Sequence, residues 1–116
     1  MNDPKALKLF QEILDKTSAG RLKWESTASE TAYSAVLPGG FSVTIWEFVD
    51  TDWKPPSIED KIALVLRGME GDLLRITTDI DGVTWEDLHK LYELAKRQAL
   101  ALDAKVDKLL GELAKM

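Results

Sequence analysis

The sequence predicts an α+β fold: an N-terminal helix, a four-stranded, mainly antiparallel sheet built from two hairpins, and a long C-terminal helix, with both helices on one sheet face. Three observations carry this. Apolar residues recur at helical spacing near both ends of the chain, period-two alternation fills the middle, and two Gly-containing turns punctuate that middle. The 116 residues (1–116) form one domain of ordinary size.

The elements follow in order. Asp3-Pro4 starts a helix, because Asp caps free N–H groups and Pro tolerates the first helical position. Leu7, Phe10, Ile13, Leu14 and Thr17 then mark one face of a helix over about residues 4–18, and Gly20 ends it. Residues 21–25 alternate polar and apolar, as a short edge strand or an extended connection. Residues 31–37 favour a strand, and Pro38-Gly39-Gly40 is a turn. Residues 41–48 form the next strand, with Phe41, Val43 and Ile45 on one face and Ser42, Thr44 and Trp46 on the other. Residues 49–60 contain Pro55-Pro56 and read as a loop. Two further strands, 61–67 and 72–80, flank the turn Gly68-Met69-Glu70-Gly71 and complete the second hairpin. Strand order stays open.

Thr84-Trp85-Glu86-Asp87 has the form of a helix-capping box, with Val83 and Leu88 placed for a hydrophobic staple. A single helix over about 85–114 is predicted from there, since no proline interrupts it and Gly111 lies close to its end. Leu88, Tyr92, Ala95, Ala99, Leu102, Val106, Leu109 and Leu113 form a heptad seam along it. Thirty residues make a rod of about 45 Å, longer than a typical strand of about 17–20 Å. Its outer half therefore needs a cover, and a second copy meeting it about a twofold axis is the expected one. Leu102, Val106, Leu109 and Leu113 are the candidate self-association residues of that homodimer.

Composition excludes several chemistries. With no Cys, there is no disulfide, Cys-bound zinc, iron–sulfur cluster or Cys nucleophile. One histidine, His89, excludes sites that need two His ligands. Twenty acids against fifteen bases, net −5, disfavour non-specific nucleic-acid binding. The longest uncharged stretches fall short of a membrane span, and the N-terminus does not resemble a signal peptide.

No motif carries a reaction. Asp79-Ile80-Asp81-Gly82 resembles a calcium loop, but aligning Gly82 to the sixth position puts Thr77 at the first and Leu88 at the twelfth, and both fail. Asp50, Asp52, Glu59 and Asp60 bracket Trp53 in an acidic loop that reads as solvated surface. His89 reads as a structural residue. The glycines at 39, 40, 68 and 71 belong to hairpins, and none opens a helix to cradle phosphate. Trp46, opposite the core face of its strand, and Trp53 are the candidate partner surface. No catalytic, cofactor-binding or metal-ligating residue is expected, and no cofactor.

Ala19-Gly20-Arg21-Leu22-Lys23-Trp24-Glu25, Gly39-Gly40-Phe41-Ser42-Val43 and Leu91-Tyr92-Glu93-Leu94-Ala95-Lys96-Arg97-Gln98-Ala99 resemble a group of small, uncharacterised bacterial α+β proteins. The resemblance implies a bacterial, cytoplasmic origin and carries no activity or site residue. The reading that results is a non-enzymatic interaction or regulatory module, self-associating through its last helix. One alternative is a small enzyme or ligand binder using the acidic loop and His89. The other is a nucleic-acid adaptor using Arg21, Lys23, Arg67 and Arg75.

Overall fold

A computed structural model describes residues 2–48 and 61–116. The element order is α1 (Pro4–Ser18), β1 (Trp24–Ser26), β2 (Ala32–Val36), β3 (Ser42–Phe48), β4 (Lys61–Gly68), β5 (Gly71–Ile76), α2 (Trp85–Ala99) and α3 (Leu102–Ala114). The sheet is antiparallel throughout, in the order β1-β2-β3-β4-β5. The predicted class holds, with one strand more than expected. The additional strand, Trp24–Ser26, begins in the alternating segment 21–25, where an edge strand and an extended connection were both open, and its pairing with β2, Trp24 opposite Ala35 and Ser26 opposite Tyr33, makes it a strand.

Register explains the core. Tyr33, Ile45, Leu64 and Ile76 lie in one cross-strand row, and Ala35, Val43, Leu66 and Leu74 in the next. Both rows share one sheet face with the buried residues of the helices: Ala6, Phe10 and Ile13 of α1, and Leu88, Leu91, Tyr92 and Ala95 of α2. Burying a large aliphatic or aromatic side chain of this kind contributes roughly 1.5–3 kcal/mol. α1 and α2 therefore cover the same face.

The local signals work as expected at most ends. Asp3 Oδ1 accepts from the Ala6 N–H at 3.0 Å, and Thr84 Oγ1 from the Asp87 N–H at 3.1 Å. Pro38–Gly40 forms a single 3-10 turn with Gly39 and Gly40 both at positive φ, and the Leu37 N–H donates to the Phe41 carbonyl at 2.8 Å across it. β5 stops at Ile76, short of the predicted residue 80. Thr77 redirects the backbone: its hydroxyl accepts from the Asp79 N–H at 3.2 Å and its carbonyl from the Ile80 N–H at 3.1 Å. Ile80 still enters the core, from the loop.

The predicted single rod over 85–114 is corrected. It breaks after Ala99, and Ala101 adopts the left-handed conformation (φ 49°, ψ 46°). The Leu100 and Ala101 N–H groups close the end of α2 onto the Lys96 and Gln98 carbonyls. α2 stops where the core stops. Ala99 and Leu100 still pack on it, and Leu109, Leu110 and Leu113 beyond them are exposed.

Candidate functional site

Two apolar surfaces stand out. The first is a stripe on α3. Val106, Leu109, Leu110 and Leu113 are 52–59% exposed. Their spacing (i, i+3, i+4, i+7) places all four on one helical face. Three of the four expected self-association residues, Val106, Leu109 and Leu113, are thus brought together in the open, while Leu102, at the start of α3, is half-buried. Lys105, Asp107, Lys108 and Glu112 share the helix, and none makes an ion pair among the described residues.

The second is an apolar groove of about 760 Å³. Leu9 and Ile13 of α1 form one wall and Leu22 one end. Val36, Leu37 and Phe41, flanking the β2–β3 turn, form the other wall, with Leu66 of β4 contributing. Glu12, Lys16 and Arg21 bring charge to it. The Arg21 N–H donates to the Lys16 carbonyl at 2.8 Å, so both cations sit where α1 ends. None of these three charges has an ion-pair partner among the described residues. Sequence reasoning missed this groove. The alternation put Phe41 on one face with Val43 and Ile45, whereas the structure leaves Phe41 42% exposed beside the turn and Val36 79% exposed at a strand end.

The sheet face opposite α1 and α2 carries Trp46. It lies opposite Ala32 and Ala63, and the Arg75 guanidinium sits 5.0 Å from its ring centroid. Ala63 and Val65 on this face are buried. Trp53 and the acidic residues Asp50, Asp52, Glu59 and Asp60 lie outside the described residues.

His89 stacks on Trp85 (centroids 4.8 Å apart, 13° between planes), and its Nε2 is 3.7 Å from Glu93 Oε1 one turn along the same helix. It does not line the groove. Among the described residues no group of three or more His, Asp or Glu side chains could hold a metal ion. The four basic residues of the nucleic-acid reading do not form one patch. Arg21 lines the groove, whereas Arg67 and Arg75 lie on the sheet face opposite α1 and α2, and Arg67 is paired with Asp72 at 2.7 Å. Lys23 precedes β1. No helix of the described residues is long and apolar enough to cross a membrane.

No protein-family model, curated protein or solved structure matches this chain.

Proposed function

We propose that the protein is a non-enzymatic, cytoplasmic interaction module that forms a homodimer through α3. The observation that carries this is the bare stripe of Val106, Leu109, Leu110 and Leu113 on a helix of 13 residues. A helix that short is marginal in water unless its apolar face packs on something. Within its own chain α3 contacts α2, and the stripe stays open. Contiguous exposed apolar patches of this kind mark contact sites. A symmetric pair of identical chains is the commonest way to cover one.

Sedimentation equilibrium at micromolar concentration tests the reading. The expected species has twice the 13.0 kDa chain mass. A 13.0 kDa species across that range overturns it.

Trp46 supports a second contact, with a protein partner on the sheet face opposite α1 and α2. Trp and Arg are enriched among residues that dominate binding energy, and here Arg75 is already stacked over a part-exposed Trp46.

A further inference from the structure

We infer that the groove between α1 and the β2–β3 turn is a binding site for a single-chain amphiphile with one carboxylate head, a fatty acid of medium length. The site does not use α3, so it stands apart from the self-association proposed above.

The groove has two unlike ends, and the fold fixes which is which. α1 contacts β5 at one edge of the sheet, and its C-terminal end leads through Arg21 and Leu22 into β1 at the other edge. α1 therefore crosses the strands. Leu9, with Leu66 of β4, marks the apolar end, and Lys16 and Arg21 mark the end toward β1. Between them the wall facing α1 is Val36, Leu37, Pro38 and Phe41, none of them charged. From Leu9 to Lys16 the helix advances about 10 Å, the length of a medium acyl chain. The volume of about 760 Å³ suits a small ligand, since such sites run roughly 300–1,000 Å³ and pair an apolar lining with a few polar groups.

The charges select the head. Lys16 and Arg21 share one end without an ion pair among the described residues, in a chain of net charge −5. Backbone carbonyls at a helix C-terminus would oppose an anion there. Here the Asp15, Lys16 and Thr17 carbonyls already accept from the Ala19, Arg21 and Gly20 N–H groups, at 3.0, 2.8 and 3.1 Å. A carboxylate between the two cations gains charge-assisted hydrogen bonds, and Arg can hold it through two N–H groups. Glu12 lies one turn before Lys16 and is the one acid among the described lining residues. It repels a carboxylate placed nearer Leu9, so it orients the chain: tail toward Leu9 and Leu66, head toward Arg21. An ammonium head at the same end meets two like charges.

NMR chemical-shift titrations with octanoate, octanol and octylamine, all below their aggregation concentrations, test this. Octanoate should shift the amides of the groove residues saturably. Octanol should shift the same amides with a Kd at least about tenfold higher, and octylamine should bind no better than octanol. Lys16→Glu/Arg21→Glu alters two exposed side chains and should weaken octanoate at least about tenfold while leaving octanol unchanged. Val36→Asp, at a residue 79% exposed, should weaken both ligands. The variant spectra show directly that each is folded, and Lys16→Ala/Arg21→Ala serves if the double Glu variant is not. Octanol or octylamine binding as tightly as octanoate overturns the inference, because the head would then not be read. Octanoate that causes no saturable shifts in the groove overturns it too. So does octanoate that binds the folded charge variant as well as wild type, because it then sits elsewhere, the bare stripe of α3 included.

Discussion

The Trp24 indole N–H donates to the Thr17 hydroxyl at 3.0 Å, inside the core. Among the described residues Thr17 is the only buried non-aromatic polar residue, 7% exposed, and Trp24 is 3% exposed. The bond ties the last turn of α1 to the edge strand β1. The Trp24 backbone N–H donates to Gln98 Oε1 at 3.1 Å, so the same residue also holds the end of α2. Replacing Thr17 by Val keeps the shape and strands the indole N–H without an acceptor. The expected loss is about 1–3 kcal/mol. Thr17→Ser, which retains the hydroxyl, should lose less. Urea unfolding monitored by tryptophan fluorescence reads both, and equal losses would mean that the hydroxyl contributes nothing.

Ala101 yields a prediction whose sign is decisive. A left-handed conformation costs a residue with a Cβ roughly 1–2 kcal/mol, a cost that glycine avoids. Ala101→Gly should therefore raise stability, by up to about 1 kcal/mol after the greater freedom of glycine in the unfolded chain is subtracted. In a continuous helix the same change would lower stability by about 0.5–1 kcal/mol. Thermal melting distinguishes the two, and a fall in melting temperature would restore the unbroken rod.

This break shows where the sequence was legible and where it was not. α1, the two hairpins and the start of α2 were readable because local chemistry decides them: Asp3 and Thr84 cap, Pro38-Gly39-Gly40 turns, and Val43 and Ile45 alternate with Thr44 and Trp46. The segment Gln98-Ala99-Leu100-Ala101-Leu102 contains only residues compatible with a helix. Its end is set by tertiary structure, where the core available to α2 runs out. The edge strand β1 was one of two readings of the alternation over 21–25, and its pairing with β2 decides between them. At the site, the apolar positions on α3 were visible in the heptad spacing. The groove was not, because it is assembled from α1, the β1 approach, the β2–β3 turn and β4, which only the fold brings together.

Gly82 is held by close packing as well as by its backbone. Its φ is +89°, and a Cβ built there would lie 2.8 Å from Leu7 Cδ2 on α1. Gly82→Ala thus meets both a conformational penalty and a crowded neighbour, and a loss of about 1–3 kcal/mol is expected. Gly111 is the control: it lies inside α3 with open space around it, and Ala there should be neutral or stabilising by up to about 1 kcal/mol. Comparable melting temperatures for the two variants would contradict the packing of α1 on this loop.

Tyr92 links stability to alkaline pH. Burial, together with the electrostatics of Tyr33, Glu47 and Glu93, raises its phenol pKa well above the ordinary tyrosine value of 10.0. Its ring also packs on Tyr33, with centroids 5.6 Å apart. The unfolded chain releases the Tyr92 proton first, so stability is fully present below about pH 10 and declines as the pH rises above it. For one proton the slope approaches about 1.4 kcal/mol per pH unit. Denaturant titrations at pH 9 and pH 11 should show the decline in the wild type and a shallower one in Tyr92→Phe. Identical slopes would remove Tyr92 as the source.

Trp46 and Arg75 form a contact on the sheet face opposite α1 and α2 whose contribution a double-mutant cycle can isolate. An Arg guanidinium 5.0 Å from a tryptophan centroid at a partly exposed site contributes about 0.5–1 kcal/mol. Trp46→Ser and Arg75→Ala should each leave a folded protein, since the main core lies on the other side of the sheet. The double variant should be less destabilised than the sum of the singles by that coupling. Ala63 and Val65, buried on this face, make Trp46→Ser the costlier single change, because the indole lies directly across from Ala63. Strict additivity would show the stacking to be without consequence for stability, and an insoluble Trp46→Ser would place the ring in the core rather than on a surface available to a partner.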